Sequence, residues 1–165
     1  MSYDTLEEAT TSDRVLAAPL ASALAKARDS ELAYAGSVTP EDAWALAQAG
    51  DAVLVDVRSE EERKFVGYIP GSVHVAWATG TQLTRNPRFV RELESKLASA
   101  GGKQAVAVLL CRSGKRSAAA AEAAAKAGFA YVFNVLEGFE GEIDERQRRG
   151  FSNGWRFRGL PWIQD

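Results

Sequence analysis

The chain has one cysteine, one histidine and one methionine among its 165 residues. A lone cysteine excludes an intramolecular disulfide and any multi-cysteine metal centre. A lone histidine, His74, argues against a histidine-based metal site and a serine–histidine triad. No apolar stretch reaches membrane-spanning length, and no basic segment followed by an apolar run opens the chain, so neither a membrane anchor nor a signal peptide is expected. The formal net charge is -2, which leaves no basic field to recruit nucleic acid. A reducing, cytoplasmic setting is the expectation, and it suits a cysteine that stays free. The apolar and charged fractions, 46% and 25%, are those of an ordinary globular chain of one main domain.

The cysteine itself stands in the most informative stretch. An apolar run over residues 105–110 predicts a strand, Cys111 closes it, and an alanine-rich segment ending near Gly128 predicts a helix. Between them Arg112, Ser113, Gly114, Lys115, Arg116 and Ser117 supply three cations, a glycine and two hydroxyls. A turn joining a strand to a helix N-terminus converges backbone N–H groups, and the helix dipole adds positive potential there. A sulfur so placed is expected to be held as an anion. An inert buried cysteine needs neither the cations nor the glycine.

Along the chain, residues 15–32 carry Leu16, Leu20, Leu24 and Ala27 at helical spacing, with Pro19 near the start. This appended helix either covers the domain or contacts a partner. The preceding residues 1–13 are polar, acidic and expected to be loosely ordered. A short strand at 37–39 leads into a helix over 40–48, capped by Thr39 and ended by Gly50. The apolar run 52–56 predicts a strand buried on both faces. An acidic helix over 59–65 follows, with Ser59 capping for Glu62 and the run Glu60, Glu61, Glu62 as a solvated face. Residues 72–76 predict a strand, and residues 82–99 contain a helix with Phe89, Val90, Leu93 and Leu97 on one face and Pro87 in its first turn. A strand over 131–136 and a last polar helix over 138–149 precede a tail with Trp155, Phe157, Leu160, Pro161 and Trp162. That tail is expected to pack on the domain. Arg146, Arg148, Arg149, Arg156 and Arg158 read as exposed charge, set against a patch for a partner. Strands alternating with helices predict an α/β fold with a central parallel sheet covered on both faces. Ligands of such sheets sit at strand carboxyl ends, where Cys111 falls.

Four motifs in order, Val55-Asp56-Val57-Arg58, Gly67-Tyr68-Ile69-Pro70-Gly71-Ser72-Val73, Cys111-Arg112-Ser113-Gly114-Lys115-Arg116-Ser117 and Gly138-Phe139-Glu140-Gly141, resemble a single-domain rhodanese-like sulfurtransferase. The likeness covers residues 37–149 and implies a three-layer rhodanese-like domain there; an N-terminal extension over residues 1–36 and an aromatic tail over 150–165 lie outside it. It implies that Cys111 takes a sulfane sulfur from thiosulfate or a similar small anionic donor and becomes a persulfide. The outer sulfur then passes to a thiol or to cyanide, or to a thioredoxin-like or other sulfur-relay protein, with no cofactor and no metal. Residues 112–116 form the anion cradle in this reading, with Asp56, Arg58 and Ser117 behind them. Asp56 and Arg58 read as a structural pair supporting the loop, set against direct substrate contact. His74 reads as a supporting residue; the family often carries histidine where Tyr68 stands here. Trp77 reads equally as pocket wall or core. Three rival functions are a protein-fed persulfide carrier, a non-catalytic regulatory module of the same family and a cysteine phosphatase. Regulatory modules commonly lack the cysteine. Phosphatases of this general fold place an arginine after five intervening residues, a position held by Ser117, whereas Arg116 comes one residue earlier.

Overall fold

The computed structural model describes residues 15–165; the acidic segment expected to be loosely ordered lies outside them. Five parallel strands form the central sheet: β1 (Ser37–Val38), β2 (Val53–Asp56), β3 (Val73–His74), β6 (Ala107–Leu110) and β7 (Val132–Val135), in the order β1-β7-β6-β2-β3. The remaining strands, β4 (Ala78–Thr79) and β5 (Thr84–Arg85), make an antiparallel hairpin beside it. Side chains alternate along each sheet strand, which explains why the runs read as continuously apolar. Leu54, Val108, Leu110 and Phe133 face one core, while Val55, Ala107, Leu109 and Val132 face the other. The expected parallel sheet with helices on both faces is what forms.

Helices α1 (Ala18–Asp29) and α2 (Pro40–Ala49) cover the first face. Leu20, Ala23 and Ala27 of α1 are buried, so the appended helix closes the domain's own core. Thr39 caps α2 through its side chain to the Asp42 N–H at 3.1 Å, and Gly50 ends it in the left-handed conformation. Helix α3 (Glu60–Val66) carries a full capping box between Ser59 and Glu62. Helices α4 (Phe89–Lys96) and α5 (Lys115–Lys126) cover the second face, where Phe89, Leu93 and Leu97 pack with Ala120, Ala121 and Ala124. Pro87 lies before α4 rather than in its first turn. The Asn86 carboxamide oxygen takes the Arg88 N–H at 3.0 Å, and the helix starts at Phe89, two residues beyond the proline.

The predicted polar helix over 138–149 does not form. Gly138, Gly141 and Gln147 adopt positive φ there, and the backbone N–H groups of residues 139–141 go to carbonyls of the cysteine loop instead of to a helical turn. The tail then folds back. Trp155 is fully buried, meets Trp44 edge-on at 5.9 Å and donates its Nε1–H to the Pro161 carbonyl at 2.8 Å. Ile163 pairs with Tyr68 through two backbone hydrogen bonds of 2.8 Å. Phe157 stays exposed, while Trp162 rests edge-on against Phe139. Among the described residues no helix is long and apolar enough to cross a membrane.

Candidate active site

Strand β6 delivers Cys111 to the carboxyl edge of the sheet between β2 and β7, and α5 begins four residues later. The turn closes through Gly114, at φ 103°, whose N–H points at Cys111 Sγ from 3.1 Å. Ser117, one turn into α5, brings its hydroxyl to 3.2 Å from the same sulfur. The sulfur is almost fully buried and lies at the base of a cavity of about 700 Å³. Two hydrogen-bond donors and a helix N-terminus converging on one sulfur suit a negatively charged atom there.

The loop's shape is imposed from outside. The Cys111 carbonyl accepts the Phe139 N–H at 2.8 Å, and the Arg112 carbonyl accepts the N–H groups of Glu140 and Gly141 at 3.0 and 3.1 Å. Behind it, the Leu110 carbonyl accepts the Val57 N–H at 2.8 Å. Asp56 and Arg58 form a fully buried ion pair at 2.8 Å, with Arg63 adding a second cation to Asp56 at 2.9 Å. Arg58 also donates to the Gly67 carbonyl at 2.7 Å and lies 4.2 Å over the Phe139 ring. Phe139 is the residue whose N–H holds the Cys111 carbonyl, so this pair braces the loop from behind and does not line the cavity. His74 Nε2 sits 2.7 Å from the Arg58 carbonyl, one layer further back. Trp77 packs edge-on against Phe89 at 5.2 Å, under the Arg85 guanidinium; it lies half-buried on the core and does not line the Cys111 cavity.

Arg112, Ser113, Gly114, Lys115 and Arg116 all line the cavity. The three cations differ in what they are free to do. Lys115 is exposed, and Arg112 Nε is buried without a hydrogen-bond partner. Arg116 is committed elsewhere, through a bidentate pair to Glu62 at 2.7 and 2.8 Å. Glu62 therefore leaves the solvated face expected for it. Burial opposes its ionisation, but the paired hydrogen bonds from Arg116, the Ser59 N–H and the Arg116 charge together hold the carboxyl down at about 2. This pair ties the N-terminus of α5 to the capping box of α3, across 54 residues of chain.

The pair contributes an acid-sensitive share of stability. The folded-state value of about 2 lies below the ordinary 4.5, so the contribution is complete above about pH 4.5 and disappears as pH falls towards 2. Glu62→Gln keeps the cap and removes the charge. It is expected to cost about 2 kcal/mol at neutral pH after allowing for solvent screening, and about 4–8 °C in Tm. Urea melts from pH 7 to pH 2 check this: the difference between wild type and variant should close below pH 4.5. A difference independent of pH would show that the charge pair is not its source.

Several cavity residues carry no signal of their own in the sequence. Asn134 reads as one polar residue in a strand, and Arg149 as surface charge; both line the cavity, and Arg149 donates to the Gly141 carbonyl at 2.8 Å. Leu83, Leu136 and Ile143 form an apolar rim, 37%, 42% and 56% exposed. Glu137 also lines the wall, but Arg158 holds it through bonds of 2.6 and 2.7 Å, which keeps its carboxyl below the usual range despite the opposing effect of burial.

Comparison with known proteins places this architecture. A family model described as the rhodanese-like domain matches residues 39–143, more than half of the chain. An uncharacterised protein of Rickettsia prowazekii is 34% identical over 116 residues, covering 68% of this chain and 83% of that protein. The crystal structure of Rv0390 from M. tuberculosis shares 43% identity with a TM-score of 0.67, covering 80% of this chain and 99% of the other. The polysulfide-sulfur transferase homodimer of Wolinella succinogenes, at 23% identity and a TM-score of 0.50 over 86% of this chain and 88% of its own, shares the fold. With its lone cysteine at the carboxyl edge of a five-stranded parallel sheet and the family match spanning sheet and loop alike, this chain belongs to the rhodanese-like family.

Proposed function

We propose that this protein is a sulfurtransferase that carries sulfur as a Cys111 persulfide. The observation that supports this most is the sulfur itself, buried at the base of an open cavity with Gly114 N–H and Ser117 O–H both within 3.2 Å. The Cys111 thiolate attacks the sulfane sulfur of thiosulfate. A new S–S bond forms, the donor's S–S bond breaks, and sulfite leaves with the electron pair. A thiolate or cyanide then attacks the outer sulfur, and Cys111 departs as thiolate. The cycle balances without an external oxidant, reductant or cofactor. Arg112 and Lys115 suit the donor's negative charge, with Arg149 as a third cation in the wall. The loop's backbone N–H groups serve where a general base would otherwise be needed. The spacing to Arg116, with four intervening residues and not five, and that residue's tie to Glu62 disfavour a phosphatase, which needs its arginine free for the oxyanion.

A second reading is favoured by the apolar rim of Leu83, Leu136 and Ile143. A small dianion gains nothing from it, whereas a protein that delivers or accepts sulfur through its own thiol, such as a thioredoxin-like relay partner, buries it. Intact mass after incubation with thiosulfate, with and without cyanide, tests both readings. One added sulfur that cyanide removes is the expected result. Sulfur accepted only from a persulfidated protein would assign the carrier role, and no loading from either donor would overturn the proposal.

A further inference from the structure

Asn134 is a polar side chain in the middle of β7, flanked by Phe133 and Val135 and only 4% exposed. Its backbone belongs to the sheet, with its N–H donated to the Gly36 carbonyl at 2.9 Å. A valine would satisfy the strand better, so the carboxamide calls for a reason. It points to the same side of the sheet as Cys111 and meets the Ser117 hydroxyl at 2.5 Å. That hydroxyl in turn stands 3.2 Å from Cys111 Sγ.

Resting on the reading of Cys111 as the reacting sulfur, we infer that Asn134 is a positioning residue, which sets through Ser117 whether a hydroxyl proton is aimed at the sulfur. A serine hydroxyl has a single proton and here has two neighbours that accept it. When sulfur carries its own proton, S–H donates to Ser117 Oγ and the hydroxyl donates to Asn134 Oδ1. When sulfur is a thiolate, the hydroxyl proton turns to the sulfur, and the carboxamide rotates so that its NH₂ donates to Ser117 Oγ. The two ends of a carboxamide are nearly equal in size, so the rotation needs no extra room. Asparagine fits this position because it both donates and accepts. A carboxylate would only accept and would hold the proton away from sulfur; leucine would do neither. The chain Asn134–Ser117–Cys111 is thus a reversible line of hydrogen bonds whose direction follows the charge on the sulfur, and each bond polarises the next.

The pH profile of Cys111 alkylation by iodoacetamide reads this directly and needs no sulfur donor, so its outcome is separate from that of sulfur loading. Arg112, Lys115, Arg116, Glu137, Glu142 and Arg149 line the same cavity and are unchanged in every variant. Asn134→Leu is expected to raise the midpoint by about one pH unit, a roughly tenfold slower reaction on the acid limb. In a Ser117→Ala background the same substitution should add nothing. In the wild-type protein the Asn134 side-chain amide resonances should move with the alkylation midpoint, a measurement that stands even where the leucine variant fails to fold. An unchanged midpoint in a folded Asn134→Leu protein, an equal shift with and without Ser117, or a static amide signal would each overturn the relay.

Discussion

Cys111→Ser is expected to abolish sulfur loading from every donor, with the melting transition close to that of wild type. A serine hydroxyl fits the space of the thiol and can still accept from the Gly114 N–H that now meets Sγ at 3.1 Å. The loop itself is held by backbone bonds from residues 139–141 that do not involve the side chain. What disappears is the atom proposed to form and release an S–S bond. No other cysteine exists in the chain to take its place. Mass analysis after thiosulfate, paired with a thermal melt, distinguishes the outcomes. Retained loading in the serine variant would place the acceptor sulfur chemistry outside this site, and a collapsed melt would make the thiol a structural element.

The second large effect is expected from Gly138→Ala. Gly138 sits at φ 68°, and an added Cβ would lie 2.4 Å from the Arg112 carbonyl carbon and 2.5 Å from both the Arg112 oxygen and the Ser113 nitrogen. All three are backbone atoms of the cysteine loop, so no side chain can swing aside. The left-handed conformation alone costs a non-glycine residue about 1–3 kcal/mol, and the overlap adds to it. A loss of about 3 kcal/mol or more in stability is expected. Sulfur loading by the folded fraction should slow by about a hundredfold, because the loop moves relative to the sulfur's donors. Gly150→Ala is the control: its φ is 85° but nothing lies within 4 Å of the added atom. Melts and single-turnover loading rates of the two variants separate conformational strain from collision. Equal effects at both positions would show that the close approach to Arg112 does not shape the site.

These expectations arise from different depths of the molecule. Most features whose cause lies within one or two turns of chain were readable from the residues alone, the start of α4 beyond Pro87 excepted. The Ser59 and Glu62 capping box, the Thr39 cap, the Gly50 helix stop and the strand–loop–helix around Cys111 all depend on partners three or four positions away. The same holds for the alternation that buries Leu54 and Val55 on opposite faces of the sheet.

The misreadings with distant causes fail for one reason. Residues 138–149 have helical composition, but their N–H groups find carbonyls on the cysteine loop, and that competition is invisible until β6 and β7 lie side by side. Glu62 looked solvated because its partner is Arg116, which α5 brings against α3 only when the sheet places Asp56 beside Leu110. Asn134 gave no sign in a strand of apolar neighbours, and its meaning depends on Ser117 standing across from it at 2.5 Å. The sequence by itself determined the parallel α/β sheet, the place of the lone sulfur at a strand end and the short loop that surrounds it, since hydrophobic period, capping and loop length are local. Only the tertiary structure decided which loop cations line the cavity without an ionic partner, which carboxylate neutralises the remaining one, and which polar groups stand behind the sulfur, because each depends on side chains that strand register brings together from distant parts of the chain.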